Sequence, residues 1–446
     1  MYNSVLYRNS PVFLQNILIS LKALIRNKLR VNKTTNAILS EIEAHDKNSE
    51  KLEMFSEKIL GKVLLSAREN VEFYKKVSSV ALSDFPYINK HDVLSSPKSF
   101  LDNKNRQIKI KGQTSGTTGA PLTVYQSLES IIRERAFANR QRRWAGFKEG
   151  DRRAWIRGDV IVPIEQKQAP FWRYSYFEGM ILLSSFHMAS NVLPQYIQAM
   201  VDYNVDVIQA YPSSIVTLAK YLESKNAYYP ATLKSILTSS ESLSKDDKKL
   251  VEKRFRCTVF DWYGLFERVA AIGSCEHGRY HILTDYSHIE LLAAGEVNGK
   301  ARAEVVGTNF NNTLYPLIRY KTGDHVILSD EENCPCGRVY PIVDSIEGRS
   351  VDFVLTFDGT PIYALDQCSK GVQGILGCQY VQNNKRSIGV RVVSSPLFTE
   401  KEKNKLIKNI RSRLGDSMLV EIMITDNLLR SKSGKVRQAI CTIEDE

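Results

Sequence analysis

Short apolar runs alternate with helical periods between residues 205 and 264, and this rhythm restricts the possible folds more than any other feature. The runs VDVIQA (205–210), LKSILTSS (233–240) and CTVFDWYG (257–264) have the length of buried strands. Between them lie IVTLAKYLESK, with Ser213 as a candidate N-cap, and LSKDDKKLVEKRF, both with helical spacing. Strand, helix and strand in this order indicate βαβ crossovers and a parallel sheet.

The last hundred residues have a different character. TEKEKNKLIKNIRSRLGD (399–416) predicts a charged amphipathic helix, and SMLVEIMIT (417–425) predicts a strand. A chain of 446 residues is long enough for a large core and a smaller domain. We therefore predict an α/β protein with a large N-terminal domain of parallel βαβ sheets, residues 1–348, and a small α+β C-terminal domain, residues 349–446.

The net charge and the cysteine content limit the kinds of binding partner and the cellular compartment that we expect. The formal charge of +12 points to an anionic partner, but the basic residues are scattered and no nucleic-acid module is recognisable. A nucleotide or an acidic membrane surface is therefore expected, and nucleic acid is not. Seven cysteines, an odd number, do not form a secreted disulfide framework. No apolar run approaches the roughly 20 residues that span a bilayer, and the start lacks a signal-peptide pattern, so we expect a cytoplasmic protein.

Residues 11–30, PVFLQNILISLKALIRNKLR, predict an amphipathic helix. Apolar residues recur at spacings of four and three beside a basic stripe: Leu14, Leu18, Leu21 and Ile25, with Lys22, Arg26 and Arg30. One interpretation is a helix packed on its own domain. The other is peripheral contact with the inner face of an anionic membrane.

The segment KGQTSGTTGAPLTVYQS, residues 111–127, concentrates hydroxyls and glycines in one loop. Consecutive backbone N–H groups in such a turn form an anion-binding nest, and the hydroxyls add donors. The Walker pattern is absent, so a metal or a distant cation must neutralise the bound phosphates. The candidate phosphate contacts are Thr114, Ser115, Gly116, Thr117, Thr118 and Gly119.

Five stretches, in order, resemble the motifs of the adenylate-forming superfamily, which includes acyl-CoA synthetases, adenylation domains and luciferases. They are TSGTTGAP (114–121), SSE (239–241) with DWYGLFE (261–267), RYKTGD (319–324), EGRSVD (347–352) and SKSGKVR (431–437). The resemblance therefore covers residues 112–437. CPCGR (334–338) and the N-terminal SPVFLQNILISLKAL resemble the phenylacetate–CoA ligase-like branch and its CapK-like subgroup of capsule biosynthesis.

The resemblance implies an enzyme that uses ATP and Mg²⁺ to convert a carboxylic acid into an acyl-adenylate and pyrophosphate. It implies that the phosphate loop holds the β- and γ-phosphates and that the remaining motifs hold the nucleoside, the metal ion and the reacting groups. The implied roles are adenine stacking for Tyr263, adenine-pocket lining for Ser240 and Glu241, nucleotide binding for Gly264, ribose binding for Asp324, ribose or phosphate contact for Arg349, Mg²⁺ binding for Glu267, and a bridge between α-phosphate and carboxylate for Lys435 on a mobile C-terminal domain. Taken singly, Asp324 also fits a turn, Tyr263 a core aromatic and Lys435 a solvated charge.

Cysteine and histidine residues form a second constellation. Three thiolates and an imidazole, from Cys275, Cys334, Cys336 and a histidine, match the ligand set of a structural zinc. The Cys-x-Cys spacing is tighter than usual, and free buried thiols are the alternative. Resemblance to the phenylacetate–CoA ligase-like branch selects His281 over His277 as the fourth ligand.

Three departures from the family pattern bear on the reaction. Phe266 stands where Thr or Ser precedes the magnesium glutamate, and Val351 stands at the hinge position next to Asp352. FDGTPIYALDQ (357–367) replaces a stretch that coenzyme A ligases use in thioester formation, which argues against coenzyme A as acceptor.

We therefore expect transfer of the acyl group to an amine or hydroxyl, with a sugar or a lipid-linked saccharide as acceptor. The expected substrate is a uronic, hydroxy or amino acid. Arg157, Arg173 and His187 are candidates to meet a polar acid, with surface and interface roles equally open. Two alternatives remain: an acyl-CoA ligase, and a nucleotide-binding assembly protein without catalysis.

Overall fold

The computed structural model describes residues 2, 4–30, 33–113, 122–347, 353–362, 365–369, 371–431 and 434–443. Several predicted site residues fall outside this range: Thr114, Ser115, Gly116, Thr117, Thr118, Gly119, Arg349, Val351 and Asp352. Their roles stay predictions.

Ten α-helices lie within the described residues. They are α1 (Val5–Asn9), α2 (Val12–Arg30), α3 (Lys33–His45), α4 (Ser49–Asn70), α5 (Lys90–Ser95), α6 (Leu128–Trp144), α7 (Leu193–Asp202), α8 (Pro212–Ser224), α9 (Lys245–Phe255) and α10 (Glu400–Leu414). None of the helices in the described segments has both the length and the apolar character needed to cross a bilayer.

The same residues contain twenty strands. They are β1 (Ile110–Gln113), β2 (Thr123–Gln126), β3 (Arg153–Ile156), β4 (Trp172–Ser175), β5 (Met180–Leu183), β6 (Val207–Ala210), β7 (Ser235–Ser239), β8 (Thr258–Gly264), β9 (Ala271–Ser274), β10 (Tyr280–Ile282), β11 (Ser287–Val297), β12 (Lys300–Asn309), β13 (Tyr320–Leu328), β14 (Ile342–Glu347), β15 (Val354–Leu355), β16 (Pro361–Ile362), β17 (Ile375–Asn384), β18 (Ser387–Ser394), β19 (Leu419–Ile424) and β20 (Ala439–Cys441).

The chain divides into two compact units. The first contains Met1–Ala23, Glu149–Val259 and Ser350–Glu446, and the second contains Leu24–Lys148 and Phe260–Arg349. The C-terminal segment thus groups with the βαβ region. The domain boundary predicted at 348/349, and the mobility of the C-terminal domain, stay predictions.

In the first unit, strands β7, β6, β3 and β5 pair in parallel in that order, and β4 pairs antiparallel with β5 at the edge. Apolar residues of these strands and of α7, α8 and α9 form one buried cluster. Helix α9 begins at Ser244, whose side chain accepts from the Asp247 backbone N–H at 3.1 Å. Its C-terminal cap residue, Arg256, has a left-handed φ of 54°. The α/β class and the parallel β6–α8–β7 crossover are confirmed.

The C-terminal part of this unit has its own small sheet. Its order is β19-β18-β17-β20, with β17 and β18 antiparallel and the outer pairs parallel. Leu406, Ile410 and Leu414 of α10 are buried in its apolar core. The predicted α+β character of this segment is therefore confirmed.

The second unit is antiparallel. Its strands pair in the order β11-β12-β13-β14-β10-β9-β8, and β1 and β2 form a separate hairpin. A buried ion pair lies among its helices, where Arg140 of α6 donates to Asp285 at 2.6 and 3.1 Å. Each charged partner compensates the other, as burial of both requires.

The predicted N-cap of α8 is wrong. The cap position is Tyr211, without a side-chain bond, and Pro212 occupies the first helical turn. Proline suits this place because it has no N–H to leave unpaired. The backbone N–H of Ser213 instead donates to the Glu241 carboxylate at 2.9 Å.

Candidate functional site

The predicted adenine and ribose residues of the second unit are in direct contact. Tyr263 of β8 donates its hydroxyl to Oδ2 of Asp324 on β13 at 2.8 Å, across 61 positions of sequence. Asp324 is buried, and its backbone N–H donates to Thr322 Oγ1 at 3.0 Å. Asp324 therefore lies in a strand, not in the turn that its Thr-Gly context allows.

Glu267, the predicted magnesium ligand, follows β8 and is buried. Its Oε1 lies 3.5 Å from the Tyr320 hydroxyl, and within the described residues no lysine, arginine or histidine pairs with it. A buried carboxylate without a cation is costly, so the surroundings of Glu267 suit a bound metal ion.

Phe266, which departs from the family pattern, packs on the strand that enters the phosphate loop. A Cβ added to Gly112 of β1 would lie 2.3 Å from Cζ of Phe266. A larger residue at position 112 would therefore displace this ring, and Gly112 precedes the loop by two positions. The aromatic ring therefore takes a packing role where the family usually has a hydroxyl.

In the first unit, predicted site residues lie at the carboxyl ends of parallel strands. Ser240 and Glu241 follow β7, Ser213 follows β6, and Arg157 and Gly158 follow β3. Ligands of open α/β sheets bind at this edge, because the strand ends and the loops after them meet there.

Glu241 joins this edge to the C-terminal segment. Its Oε1 accepts from the backbone N–H of Val436 at 2.7 Å, and its Oε2 accepts from Ser213 at 2.9 Å. Burial raises the pKa of the Glu241 carboxyl, against the lowering effect of these two N–H bonds and of Arg430. The carboxylate thus uses both oxygens to hold backbone groups, and its role as adenine-pocket lining stays a prediction.

The turn between Ser431 and Lys435, called the Lys435 turn below, lies at the same edge of the sheet. Gly434 has a φ of 75°, and a Cβ added there would lie 2.2 Å from Cα of Gly158. Arg430 donates to the Gly434 carbonyl at 2.7 Å, and the Lys435 backbone N–H donates to Ser431 Oγ at 3.2 Å. The two glycine backbones therefore touch, and the turn brings Lys435 next to the carboxyl end of β3.

Arg157 has a position that the sequence did not single out from two other candidates. Its Nη2 donates to Ser240 Oγ at 2.7 Å, and its guanidinium lies 5.0 and 4.9 Å from the ring centres of Trp155 and Tyr211. No carboxylate within the described segments forms an ion pair with it. The rings of Trp155 and Tyr211 thus hold the Arg157 guanidinium in place, where it can bind an oxyanion.

Arg173 and His187, the other candidates, have structural partners. Arg173 is buried and donates to Gln15 and to the carbonyls of Pro170 and Trp172. His187 stacks on Phe171 at 4.7 Å. Only Arg157 lies beside a predicted site residue.

Gly112, Gly158 and Arg430 were missed by sequence reasoning. A signal existed for Gly158, which lies two positions after the carboxyl end of β3. The contacts of Gly112 and Arg430 depend on the fold, and the sequence carries no local sign of them.

The four predicted metal ligands lie together in the second unit. The ligand atoms of Cys275, His281, Cys334 and Cys336 are all within 4.8 Å of one another, and His277 is exposed outside this group. The Cys275 and Cys334 sulfurs are 3.6 Å apart, and Cys336 Sγ lies 3.4 Å from His281 Nε2. Tetrahedral zinc with Zn–S bonds of about 2.3 Å requires sulfur separations of about 3.8 Å, so the donor set fits.

The surroundings also suit a closed metal site. His281 Nδ1 lies 3.4 Å from the Tyr340 carbonyl, which leaves Nε2 facing the thiols. Burial lowers the pKa of His281 to about 4 and raises the pKa of Cys334 to about 12. The imidazole is therefore neutral, as a ligand must be, and a cation is needed to hold the thiols as thiolates.

Comparisons with known proteins agree with these features. Residues 355–442 match the family model of the CapK C-terminal domain. Protein CapK of Staphylococcus aureus is 25% identical over 461 aligned residues, covering 98% of this chain and 99% of that protein. The chain is therefore similar to protein CapK over its whole length.

This CapK-like chain is also similar to ligases. A phenylacetate–coenzyme A ligase of Pseudomonas putida is 24% identical, over 61% of this chain and 62% of that enzyme. A crystal structure of 2-hydroxyisobutyryl-CoA ligase in the postadenylation state matches with a TM-score of 0.62 at 18% identity, covering 89% of this chain and 90% of that one. The CapK-like chain thus has the fold of an adenylate-forming enzyme.

Proposed function

We propose that the protein is an ATP-dependent ligase that activates a carboxylic acid as an acyl-adenylate. The acid's carboxylate oxygen attacks the α-phosphorus of ATP, the bond to the β-phosphate breaks, and pyrophosphate leaves. The contact between Tyr263 and Asp324 carries the proposal. It joins two side chains, far apart in sequence, that the family motifs assign to the adenine and the ribose of one nucleotide.

We assign the other roles in nucleotide binding and catalysis to the following residues. Thr114, Ser115, Gly116, Thr117, Thr118 and Gly119 would hold the phosphates, with Ser240 and Gly264 near the base and Arg349 at the ribose or phosphate. Glu267 would hold Mg²⁺, which neutralises phosphate charge when bound. Lys435 would stabilise the negative charge that develops between the α-phosphate and the carboxylate.

Arg157 supports a substrate acid with polar or anionic character. A guanidinium held between two rings binds a carboxylate or phosphate oxygen with little loss of conformational freedom. We infer that Arg157 contacts an oxyanion of the acid, which suits a uronic, hydroxy or amino acid better than an apolar one.

We propose an amine or hydroxyl on a sugar or lipid-linked saccharide as acceptor, in the decoration of a capsule or another bacterial polysaccharide. The relation to protein CapK and the replaced stretch at 357–367 support this choice. The phenylacetate–coenzyme A ligase relatives favour a second candidate, in which coenzyme A is the acceptor. We place the reaction in the cytoplasm, which supplies ATP.

We also propose a structural zinc ion on Cys275, His281, Cys334 and Cys336. All four positions would be filled by protein ligands, so the ion would stabilise the second unit rather than take part in the reaction.

Mass spectrometry of the trapped adenylate tests the function. The full chain is incubated with ATP, Mg²⁺ and single uronic, hydroxy and amino acids, with and without coenzyme A. We expect AMP and an acyl-adenylate for at least one acid, with no coenzyme A thioester. Formation of a coenzyme A thioester would favour the second candidate function, in which coenzyme A is the acceptor. ATP binding without AMP for any acid would favour the assembly protein.

A further inference from the structure

Helix α2 exposes one line of apolar residues to solvent and buries polar residues together with Ile19 and Ala23. Gln15 and Asn16 are almost completely buried. Phe13, Ile17 and Leu21, one turn apart on the same helical line, are 66%, 44% and 52% exposed. A surface helix usually buries its apolar stripe, so a second apolar line that faces solvent is unusual.

Hydrogen bonds to a strand edge fix this orientation. Strand β4 is the outer strand of the first unit's sheet, and its free side carries backbone N–H groups. Asn16 Oδ1 accepts from the Tyr174 N–H and Ser20 Oγ accepts from the Tyr176 N–H, each at 3.0 Å. Four residues of helix rise about 6 Å and two residues of strand rise about 6.6 Å, so the two spacings match.

Further bonds hold the same face. Gln15 accepts from Arg173 and donates to the carbonyls of Tyr7 and Ser10 at 2.9 and 3.0 Å. Because these polar groups are engaged, α2 cannot turn its apolar stripe inward without leaving strand N–H groups unpaired. The exposure of the stripe is therefore built into the fold.

Other apolar side chains of the N-terminal segment are also exposed. Val5 and Leu6 of α1 are exposed, and Ile25 continues the line of Leu21 by one more turn. We call this set the N-terminal apolar surface: Val5, Leu6, Phe13, Ile17, Leu21 and Ile25.

The charged residues within helix α2 all have the same sign. Helix α2 contains Lys22, Arg26, Lys28 and Arg30 and no acidic residue. Lys22 and Arg26 are exposed, each one position past an apolar residue of the surface. Apolar residues with flanking lysine and arginine, on a helix too polar to span, are the pattern of helices that lie in a membrane interface.

We propose that the N-terminal apolar surface docks this protein on an anionic lipid bilayer. The apolar side chains enter the boundary between headgroups and acyl chains, and Lys22 and Arg26 meet lipid phosphates. Lipid is favoured over a second copy of the chain because the same basic residues would face each other across such an interface. The proposal does not depend on the ligase activity.

Vesicle sedimentation with the full chain tests the docking. The vesicles contain phosphatidylcholine alone or phosphatidylcholine mixed with phosphatidylglycerol. We expect binding to the mixed vesicles only, weakened by high salt. The triple variant F13Q/I17Q/L21Q should lose the binding, and K22Q/R26Q should weaken it about 25-fold, about fivefold per charge.

A matched control replaces exposed apolar residues elsewhere. Met54 and Ile108 are more than 60% exposed, and M54Q/I108Q should bind vesicles like the unaltered chain. Thermal unfolding and ATP binding should be unchanged in F13Q/I17Q/L21Q and in M54Q/I108Q, because the replaced side chains are exposed.

Two results would overturn the proposal. One is absence of binding by the unaltered chain to the mixed vesicles. The other is binding by the triple variant equal to that of the unaltered chain. A dimer that the triple variant dissociates, with no vesicle binding by either protein, would assign the surface to a second copy instead.

Discussion

At the scale of single residues, Glu241 links backbone groups that are remote in sequence. Its two oxygens accept from Ser213, at the start of α8, and from Val436, beside the Lys435 turn. A carboxylate is suited to this task because both of its oxygens are acceptors. Glu241 is thus a positioning residue for the C-terminal turn.

Replacing Glu241 with glutamine should loosen this turn. The amide has one acceptor oxygen, so one N–H bond is lost at a cost of about 1–3 kcal/mol. Hydrogen exchange of peptides covering residues 430–437 should become faster. The control is E252Q, because Glu252 accepts a single N–H, from Val259 at 3.0 Å, which glutamine can also accept. Unchanged exchange in E241Q would contradict the assignment.

The same residue should give the fold a pH dependence. Burial raises the pKa of Glu241 above its unfolded value, so the folded state binds the proton more tightly. Its contribution to stability is fully present below the unfolded pKa and is lost as pH rises through the folded pKa. Chemical unfolding at a series of pH values should show this decline, and E241Q should flatten it. A decline of equal size in E241Q would refute the attribution.

Arg157 should control affinity for the acid. With an acid that supports the reaction, R157A should raise its KM about 10- to 100-fold, as expected for a charged hydrogen bond of about 1.5–3 kcal/mol, and leave the KM for ATP near its original value. R157K should recover part of the loss. The control R152A removes an arginine that lies on the Tyr203 ring instead. If R157A raised only the KM for ATP, Arg157 would be assigned to the phosphates of ATP and not to the acid.

At the scale of elements, the turn that carries Lys435 depends on a contact between two glycines. Gly434 has a positive φ and touches Gly158, so both the backbone angle and the space require glycine. The turn itself is closed by the Ser431 and Lys435 backbones at 2.9 Å.

A methyl group at position 434 should displace the turn. G434A is expected to reduce adenylate formation about 100-fold, the effect of misplacing a catalytic group by about 1 Å. G359A is the matched control, since Gly359 also has a positive φ of 87° but its added Cβ meets only Lys385 atoms 3.6 Å or farther away. Steady-state rates of pyrophosphate release compare the two. Equal rates for both variants would exclude the glycine contact as the cause.

Elements with strong local patterns were predictable, and their orientation was not. Helix α2 lies where its period predicts, but Leu21 and Ile25 of the predicted apolar stripe face solvent. The reason is tertiary, because the edge of β4 selects Asn16 and Ser20 as the inner face. Likewise, the partner of the Ser213 N–H lies 28 positions away in sequence, which no helix-start signal reveals.

At the scale of the whole molecule, the order of motifs along the chain predicted which distant residues meet. Tyr263 contacts Asp324, and the four Cys/His residues lie together, while the roles assigned to them stay predictions. The family pattern could not predict how the fold packs a residue that departs from it, such as Phe266. The contact of Phe266 with Gly112 depends on the packing of two separate segments of the chain.

The zinc proposal makes a prediction for the stability of the whole chain. Purified protein should contain about one zinc ion per chain, and C334S should lose it and about 3 kcal/mol of stability. Elemental analysis and thermal unfolding give the two values. C257S, which replaces a half-buried cysteine outside the cluster, should keep its zinc. Metal-free protein as stable as the C257S variant would argue for free buried thiols.

Acid-dependent exchange of labelled pyrophosphate into ATP tests the central claim most directly, because only reversible adenylate formation produces it. We expect exchange with at least one uronic, hydroxy or amino acid, and a loss of about 100- to 1000-fold in K435A, as when a group that stabilises transition-state charge is removed. Formation of ADP, or equal exchange in K435A, would contradict the account.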